Sequence, residues 1–312
     1  MWKRDFAMVD ENPNGSYPTG AAIPLPVQLQ RRRASWPLII LAVLFVVVPF
    51  LTWYLTWFGR PLSDDDIGRY LGDQKNVRHV QQALTQVEER IEKGDASARR
   101  WYPQIIALAD SPVVEIRKTA AWVMGQDNTS EAFHAGLVKL VGDSHPAVRR
   151  NAAVQLVRFR DERGRGEFRA MLQPYTVTAQ TQGKINSVLN EGVEVRENAL
   201  LARILNTRNQ MEELRSPLSG RLAKVLAGEG HDVKVGDGVL VLGPDPEFVF
   251  ESLRALFLVG REEDLPDVLR YAEGVEGMPE RVKQQAAQTA SAIRNRSADK
   301  SLEAKPQPPE RQ

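Results

Sequence analysis

Two stretches decide how this chain folds: residues 181–204, TQGKINSVLNEGVEVRENALLARI, and residues 218–242, LSGRLAKVLAGEGHDVKVGDGVLVL. Aligned on Gly183 and Gly220, each carries apolar residues at Ile185/Leu222 and Val188/Val225. A Glu-Gly turn follows, Glu191-Gly192 in one copy and Glu229-Gly230 in the other, then Val195 or Val233. Each copy closes with an alternating strand, Leu201-Ala202-Arg203-Ile204 or Val239-Leu240-Val241-Leu242. Apolar residues recurring at a period of two between glycine-bearing turns predict short, half-buried strands. Two such copies in tandem predict one small β-domain with internal two-fold symmetry, each half supplying a sheet that the other covers.

With the Ser-Pro-x-x-Gly lead-in of its second half (Ser216, Pro217, Gly220), this pattern resembles the barrel-sandwich hybrid of biotinyl and lipoyl carrier domains and of membrane-fusion proteins. The resemblance covers 174–243 and marks Gly183, Gly192, Gly220 and Gly230 as repeat positions. In carriers, the turn between the halves presents a lysine that forms an amide with biotin or lipoate. Here that turn reads LNTRNQMEEL and puts Arg208 or Asn209 at the tip. Neither side chain forms the amide, so the resemblance implies an unmodified, lipoyl-like module without a cofactor. Membrane-fusion proteins insert a long α-hairpin at the same turn, for which this short connection has no room.

Before this module the periodicity changes to that of helices. ALADSPVVEIRKTAAWVMG and KLVGDSHPAVRRNAAVQLV share an Asp (Asp110, Asp143), a Pro (Pro112, Pro146), an apolar-Arg pair ending in Arg117 or Arg149, and an Ala-Ala pair. The two arginines lie 32 residues apart. The aspartate is placed to cap the second helix of each pair, proline is tolerated in its first turn, and paired alanines allow close helix approach. This pattern resembles HEAT repeats, in the short form related to phycobilisome lyases. The resemblance implies that Arg117 and Arg149 brace the stack by pairing with their own repeat's aspartate and neighbouring carbonyls.

Weaker pairs are expected at Ile67–Leu71 with Val77–Ile91, and at Leu265–Ala272 with Val282–Ile293. Between them one pair is split, with Glu167–Leu172 as its first helix and Asp245–Val259 as its second. The expected organisation is therefore helical repeats over 62–172, the β-module as a guest at 174–243, and C-terminal helices over 245–295. A flexible cytoplasmic leader over 1–36 and a disordered tail over 296–312 complete it.

Residues 37–58, PLIILAVLFVVVPFLTWYLTWF, carry no charge. At 1.5 Å per residue, about 22 residues give roughly 33 Å, enough to cross a bilayer core. Arg31, Arg32 and Arg33 precede the run and Asp64, Asp65 and Asp66 follow it, which places the N-terminus in the cytoplasm and the bulk of the chain in the periplasm. The run is too long for a cleaved signal peptide, and no small-x-small site follows it. The expected fold class is thus α+β multidomain: a single transmembrane helix and an α-solenoid interrupted by an all-β barrel-sandwich hybrid.

Lys+Arg number 41 against 40 Asp+Glu, so no basic excess points to nucleic acid. The absence of cysteine excludes disulfides, thiolate nucleophiles and cysteine-ligated metals. His79, His134, His145 and His231 lie on separate elements without metal-ligand spacing. Gly164 and Gly166 lack the preceding strand that a phosphate loop needs, and the arginines around them, interleaved with acids, read as a solvated loop. The 64–66 aspartates read as an acidic start to the helix near Ile67. No catalytic, cofactor or metal residue is assigned.

The expected function is a bacterial, membrane-anchored, exported and non-catalytic scaffold or assembly subunit. Its partners would be an envelope or inner-membrane protein complex, with the bilayer bound through 37–58 and no nucleic acid. A divergent membrane-fusion-type adaptor of an export system is the first alternative, and a bilin-lyase-like enzyme the second.

Overall fold

The computed structural model describes residues 36–57 and 61–303, and the chain divides into two compact units, Met1–Arg60 and Pro61–Gln312. The first contains helix α1 (Trp36–Trp57), which carries Pro49 and exposes Trp36, Leu38, Leu41, Phe45 and Val46. No helix among the described residues is long and apolar enough to cross a membrane. This overturns the transmembrane helix at 37–58, and with it the expected fold class, the single-pass inner-membrane localisation and the periplasmic placement. The bilayer contact assigned to that segment loses its basis. The arginine triplet at 31–33 and the leader lie outside the described residues.

The second unit contains ten α-helices and eight strands among its described residues. Before the strands come α2 (Asp64–Gly72), α3 (Val77–Glu92), α4 (Tyr102–Ala107), α5 (Val114–Met124), α6 (Glu131–Leu140), α7 (Pro146–Arg158) and α8 (Arg165–Met171). After them come α9 (Pro246–Val259), α10 (Leu265–Glu273) and α11 (Glu280–Glu303). Because α11 continues to Glu303, the first part of the tail expected at 296–312 is helical; the remainder lies outside the described residues.

The helices pack as antiparallel-type pairs, α2 with α3, α4 with α5, α6 with α7, α8 with α9 and α10 with α11. The second members also touch in order, forming a row α3, α5, α7, α9, α11. Ala120, Ala121, Ala152 and Ala153 are fully buried where these rows meet. One apolar core runs from Ile67 to Leu156; a second joins Ala153 and Phe168 to Leu253, Leu256, Tyr271 and Ile293. The second core spans the β-module in sequence: Phe168 and Leu253 are on opposite sides of it. Buried hydroxyls reinforce this joint, Ser252 Oγ donating to the Phe168 carbonyl at 2.7 Å and Tyr271 to the Leu172 carbonyl at 2.8 Å.

Local signals explain the helix ends. Ser63 Oγ accepts from the Asp66 N–H at 3.1 Å to start α2, with the three aspartates in its first turn. Asp245 Oδ1 accepts from the Glu247 N–H at 2.9 Å ahead of Pro246 and so caps α9. The caps expected from Asp110 and Asp143 are absent: α5 and α7 start after Val113 and His145 with no side-chain cap. Asp143 instead accepts from the His145 N–H at 2.7 Å, one turn too early to reach the helix proper.

The strands are β1 (Tyr175–Thr178), β2 (Gly183–Val188), β3 (Glu194–Val195), β4 (Leu200–Asn206), β5 (Met211–Arg215), β6 (Gly220–Val225), β7 (Asp232–Val233) and β8 (Gly238–Leu242). They form two antiparallel four-stranded sheets, ordered β1-β8-β6-β3 and β5-β4-β2-β7. Exchanging β1 with β5, β2 with β6, β3 with β7 and β4 with β8 converts one order into the other. The short strands are swapped: β3 of the first half pairs with β6, Val195 opposite Gly220, and β7 of the second pairs with β2, Val233 opposite Gly183. Matching hydrogen bonds join Gly192 N–H to the Leu222 carbonyl at 2.7 Å and Gly230 N–H to the Ile185 carbonyl at 2.8 Å. The glycines are needed here. Gly192 and Gly230 have φ of 84° and 82°, and a Cβ on Gly183 would meet the Leu205 carbonyl oxygen at 2.3 Å.

Tyr175 pairs with Leu242, so the chain enters and leaves the module on directly opposed residues. Opposed antiparallel residues are about 5 Å apart, a gap that an ordinary helix–helix loop would also close. This is why the module fits between α8 and α9 without parting them.

Candidate functional site

The hairpin tip between β4 and β5 is built from residues 207–210. Asn206 Oδ1 accepts from the Arg208 and Gln210 N–H groups, both at 2.9 Å, and Asn209 takes φ 57°. Arg208 and Asn209 are both exposed there, at the position where the carrier resemblance puts its lysine.

The repeat residues form braces between neighbouring pairs. Arg117 on α5 makes a two-pronged contact with Asp143 (Nε to Oδ2 2.7 Å, Nη2 to Oδ1 2.9 Å) and donates to the Ser111 carbonyl at 2.8 Å. Its partner is the next repeat's aspartate, not its own; Asp110 pairs with Lys139. A side chain on the first turn of a helix leans toward that helix's N-terminus, where the following repeat's loop lies. Burial opposes the Asp143 carboxylate, but hydrogen bonds from Arg117 and the His145 N–H hold it below the usual range. Arg149 repeats the arrangement with a different acid, donating to Glu167 at 2.7 Å and to the Asp143 carbonyl at 2.9 Å.

Three of the arginines around Gly164 and Gly166 are paired with acids. Arg163 holds Asp161, Arg165 pairs with Glu263, and Arg169 reaches Asp267 at 3.2 Å. Glu162 receives Arg261. Several of these pairs tie α8 to the segment preceding α10. Two of the histidines pack against neighbouring rings: His79 stacks on Tyr70, and His134 stacks on Phe159 and contacts Asp161 Oδ2 at 2.6 Å. Among the described residues no group of three or more metal-ligating side chains comes together.

The feature with ligand-binding geometry lies on the row of second helices. A cleft of about 220 Å³ opens between α5, α7 and α9 and is closed on one side by Glu197, Leu218 and Ser219 of the β-module. It continues into a more open groove of about 410 Å³ between α7, α9 and α11, the two sharing Val154 and Glu251. Trp122, Phe257 and Leu258 leave 44%, 40% and 61% of their surface exposed along it, large for apolar side chains on a packed row.

Two cations line the cleft at equivalent repeat positions, Lys118 after Arg117 and Arg150 after Arg149. Lys118 Nζ donates to both oxygens of Glu197, each at 2.8 Å. Arg150 is only 7% exposed, makes no ion pair among the described residues, and its Nε has no hydrogen-bond partner. Its guanidinium lies 5.8 Å from the Phe248 ring, within cation–π range. Burial moves its pKa down. The acids nearest in effect, Glu167 and Asp245, are engaged with Arg149 and the start of α9. Glu251, exposed on the rim, is pushed up by partial desolvation against the pull of Arg254.

Sequence reasoning assigned Arg117 and Arg149 and passed over Lys118 and Arg150. The signal was the doubled cation in IRK and VRR: consecutive helical residues are 100° apart, so if one turns toward the brace its neighbour turns elsewhere.

No family model matches the chain, and no curated protein matches it. Among solved structures, one described as "Structure and function of a single-chain, multi-domain long-chain acyl-coa carboxylase" is similar at 22% identity and a TM-score of 0.23, over 32% of this chain and 10% of that one. A likeness this slight carries no argument about fold or activity.

Proposed function

We propose that the chain is a non-catalytic binding scaffold that holds an extended segment of a protein partner along the row of second helices. The observation that carries this reading is the groove itself: a cleft and its open continuation, lined by exposed Trp122, Phe257 and Leu258 on a rigid helical frame. Apolar side chains left exposed in a row, with polar residues between them, suit a protein ligand better than a small metabolite. The resemblance of the helical pairs to HEAT repeats supports the same reading, because such stacks present long binding faces. The β-module contributes a wall to the cleft and an unmodified hairpin.

The test is site-specific photo-crosslinking in cells that express the chain. p-Benzoylphenylalanine replaces Leu258 or Trp122 in the groove, or Glu131, an exposed residue of α6 in the other helix row. The expected outcome is one protein partner crosslinked from both groove positions and absent from Glu131. Equal crosslinking from all three positions, or none from the groove, overturns the reading.

A further inference from the structure

We infer that the Arg150 cleft is a recognition subsite for an acidic side chain, aspartate or glutamate, carried on an extended segment of the protein partner. This rests on the groove reading above and specifies its chemistry. An arginine that is 7% exposed, lines a cleft and has no carboxylate partner is costly to the fold. The ring of Phe248 offsets only part of that cost. The Nε is itself enclosed, so a single carboxylate would act on the cleft side of the guanidinium, compensating its charge.

The chain displays the same recognition internally. One repeat earlier, Lys118 occupies the equivalent position in the same cleft and takes the carboxylate of Glu197. Glu197 belongs to the turn between β3 and β4, so an acidic side chain on non-helical backbone already enters this cleft from one side. Arg150 presents the next cation along the row with nothing on it. The β-module thus fills one position, and the partner's segment fills the one beside it.

Charge count selects the ligand. Lys118 is neutralised by Glu197, and Glu251 on the rim feels the opposite charge of Arg254 on its own helix, which leaves Arg150 as the cation without an acid of its own. A monoanionic carboxylate balances that charge, whereas phosphate at neutral pH brings nearly two negative charges next to two glutamates. Side chains of helical residues line most of the cleft. A chain-terminal carboxylate is typically held by a nest of successive backbone N–H groups, so it is set against the side-chain acid as a separate probe. The Phe248 face and Trp122 favour an apolar residue beside the acid.

The experiment uses the full chain and four probes. The first is the peptide acetyl-Phe-Leu-Glu-Leu-Phe-amide, and the second is its glutamine counterpart. The third is acetyl-Phe-Leu-Phe with a free carboxyl terminus, and the fourth is inorganic phosphate. Binding is read from the Arg150 Nε–Hε resonance of ¹⁵N-labelled protein and from affinity. The glutamate peptide is expected to bind about tenfold more tightly than the glutamine peptide and to move that resonance, as a new charge paired with the guanidinium would. Arg150→Met should reduce the preference to within about twofold, with the protein still folded because an unpaired buried charge is removed. Arg150→Lys should retain part of it. Equal binding of the glutamate and glutamine peptides, an unmoved resonance, or tighter binding of the free-terminus peptide or phosphate overturns the inference. If the groove crosslinks of the previous section are found and these arms fail, the groove stands and its chemistry is wrong. If both fail, the groove reading itself is lost.

Discussion

The helix stack and the β-module are both made of tandem copies, but the copies are joined in different ways. In the stack, each copy reaches the next through side chains: Arg117 grips Asp143, and Arg149 grips Glu167. The contact runs one way along the chain, and its chemistry varies from joint to joint. In the β-module the copies trade backbone. β3 completes the second half's sheet and β7 the first half's, at equivalent registers. One-way side-chain joints make an array that can be lengthened, shortened or interrupted, as the inserted module itself shows. Reciprocal backbone exchange makes a closed pair whose halves have no separate existence. The lesson is that a sequence repeat by itself does not say which kind of joint it encodes.

The largest effect should come from breaking the stack where the module interrupts it. Leu253 is fully buried on α9 and shares a core with Phe168 on the far side of the insert. Leu253→Asp places an unpaired charge there and should cost about 4 kcal/mol or more, read by urea unfolding followed by circular dichroism. A variant that melts like the parent would mean that the helices flanking the module do not share one core.

The symmetry of the β-module is tested next. Gly183→Ala and Gly220→Ala each push a methyl into a backbone carbonyl, at 2.3 Å from Leu205 O and 2.6 Å from Gly243 O. Each should destabilise by about 3 kcal/mol, and the two should be equal within experimental error. Gly230→Ala meets no atom within 4 Å but keeps φ at 82°, so its cost should be about 1 kcal/mol. Strongly unequal effects of the first pair would show that the exchange is symmetric in register and not in energy.

The one-way joints of the stack should be unequal. Arg117 and Asp143 expose 11% and 8% of their side chains, against 26% and 15% for Arg149 and Glu167. Arg117→Met leaves a buried carboxylate without its cation and should cost about 2 kcal/mol, Arg149→Met about 1 kcal/mol. Chemical denaturation of the two variants side by side gives the comparison; the reverse order would assign the tighter brace to the wrong joint.

The smallest effect is a response to acid. Desolvation raises the Asp161 pKa, but hydrogen bonds from Arg163 and His134 outweigh it and bring it to about 2. A depressed carboxylate pKa contributes stability that is present above the unfolded value and is lost as pH falls through the folded one. The loss should therefore fall between about pH 4 and pH 2, and amount to about 1 kcal/mol after allowing for solvent screening. Asp161→Asn should flatten that part of the stability–pH curve; an unchanged curve would remove the network from the stack's joints.

The candidate site was legible only in part. The doubled cations IRK and VRR stand plainly in the sequence, and the repeat alignment puts Lys118 and Arg150 in register. Nothing local says that Glu197, 79 residues from Lys118, would come to neutralise one of them and leave the other unpaired. The expected caps from Asp110 and Asp143 failed for a related reason: propensity names residues able to cap, while helix start points are set by how Val113 and His145 pack. The expected membrane span rested on the length of an uncharged run and the charges flanking it, and no helix among the described residues is long and apolar enough to cross a membrane.

The sequence by itself determined the local elements: period-two runs with Glu-Gly turns gave the paired strand sets, the Asp245-Pro246 start gave α9, and 3.6-residue periodicity gave the helices before the module. These depend on backbone preference and on which face must be buried, both written in neighbouring residues. Tertiary structure alone decided that the β3 and β7 strands would cross over, that each arginine would grip the following repeat, and that Arg150 would be buried without a partner. Those outcomes depend on which distant groups the packed fold holds at hydrogen-bonding distance, and chain separation hides that from any local pattern.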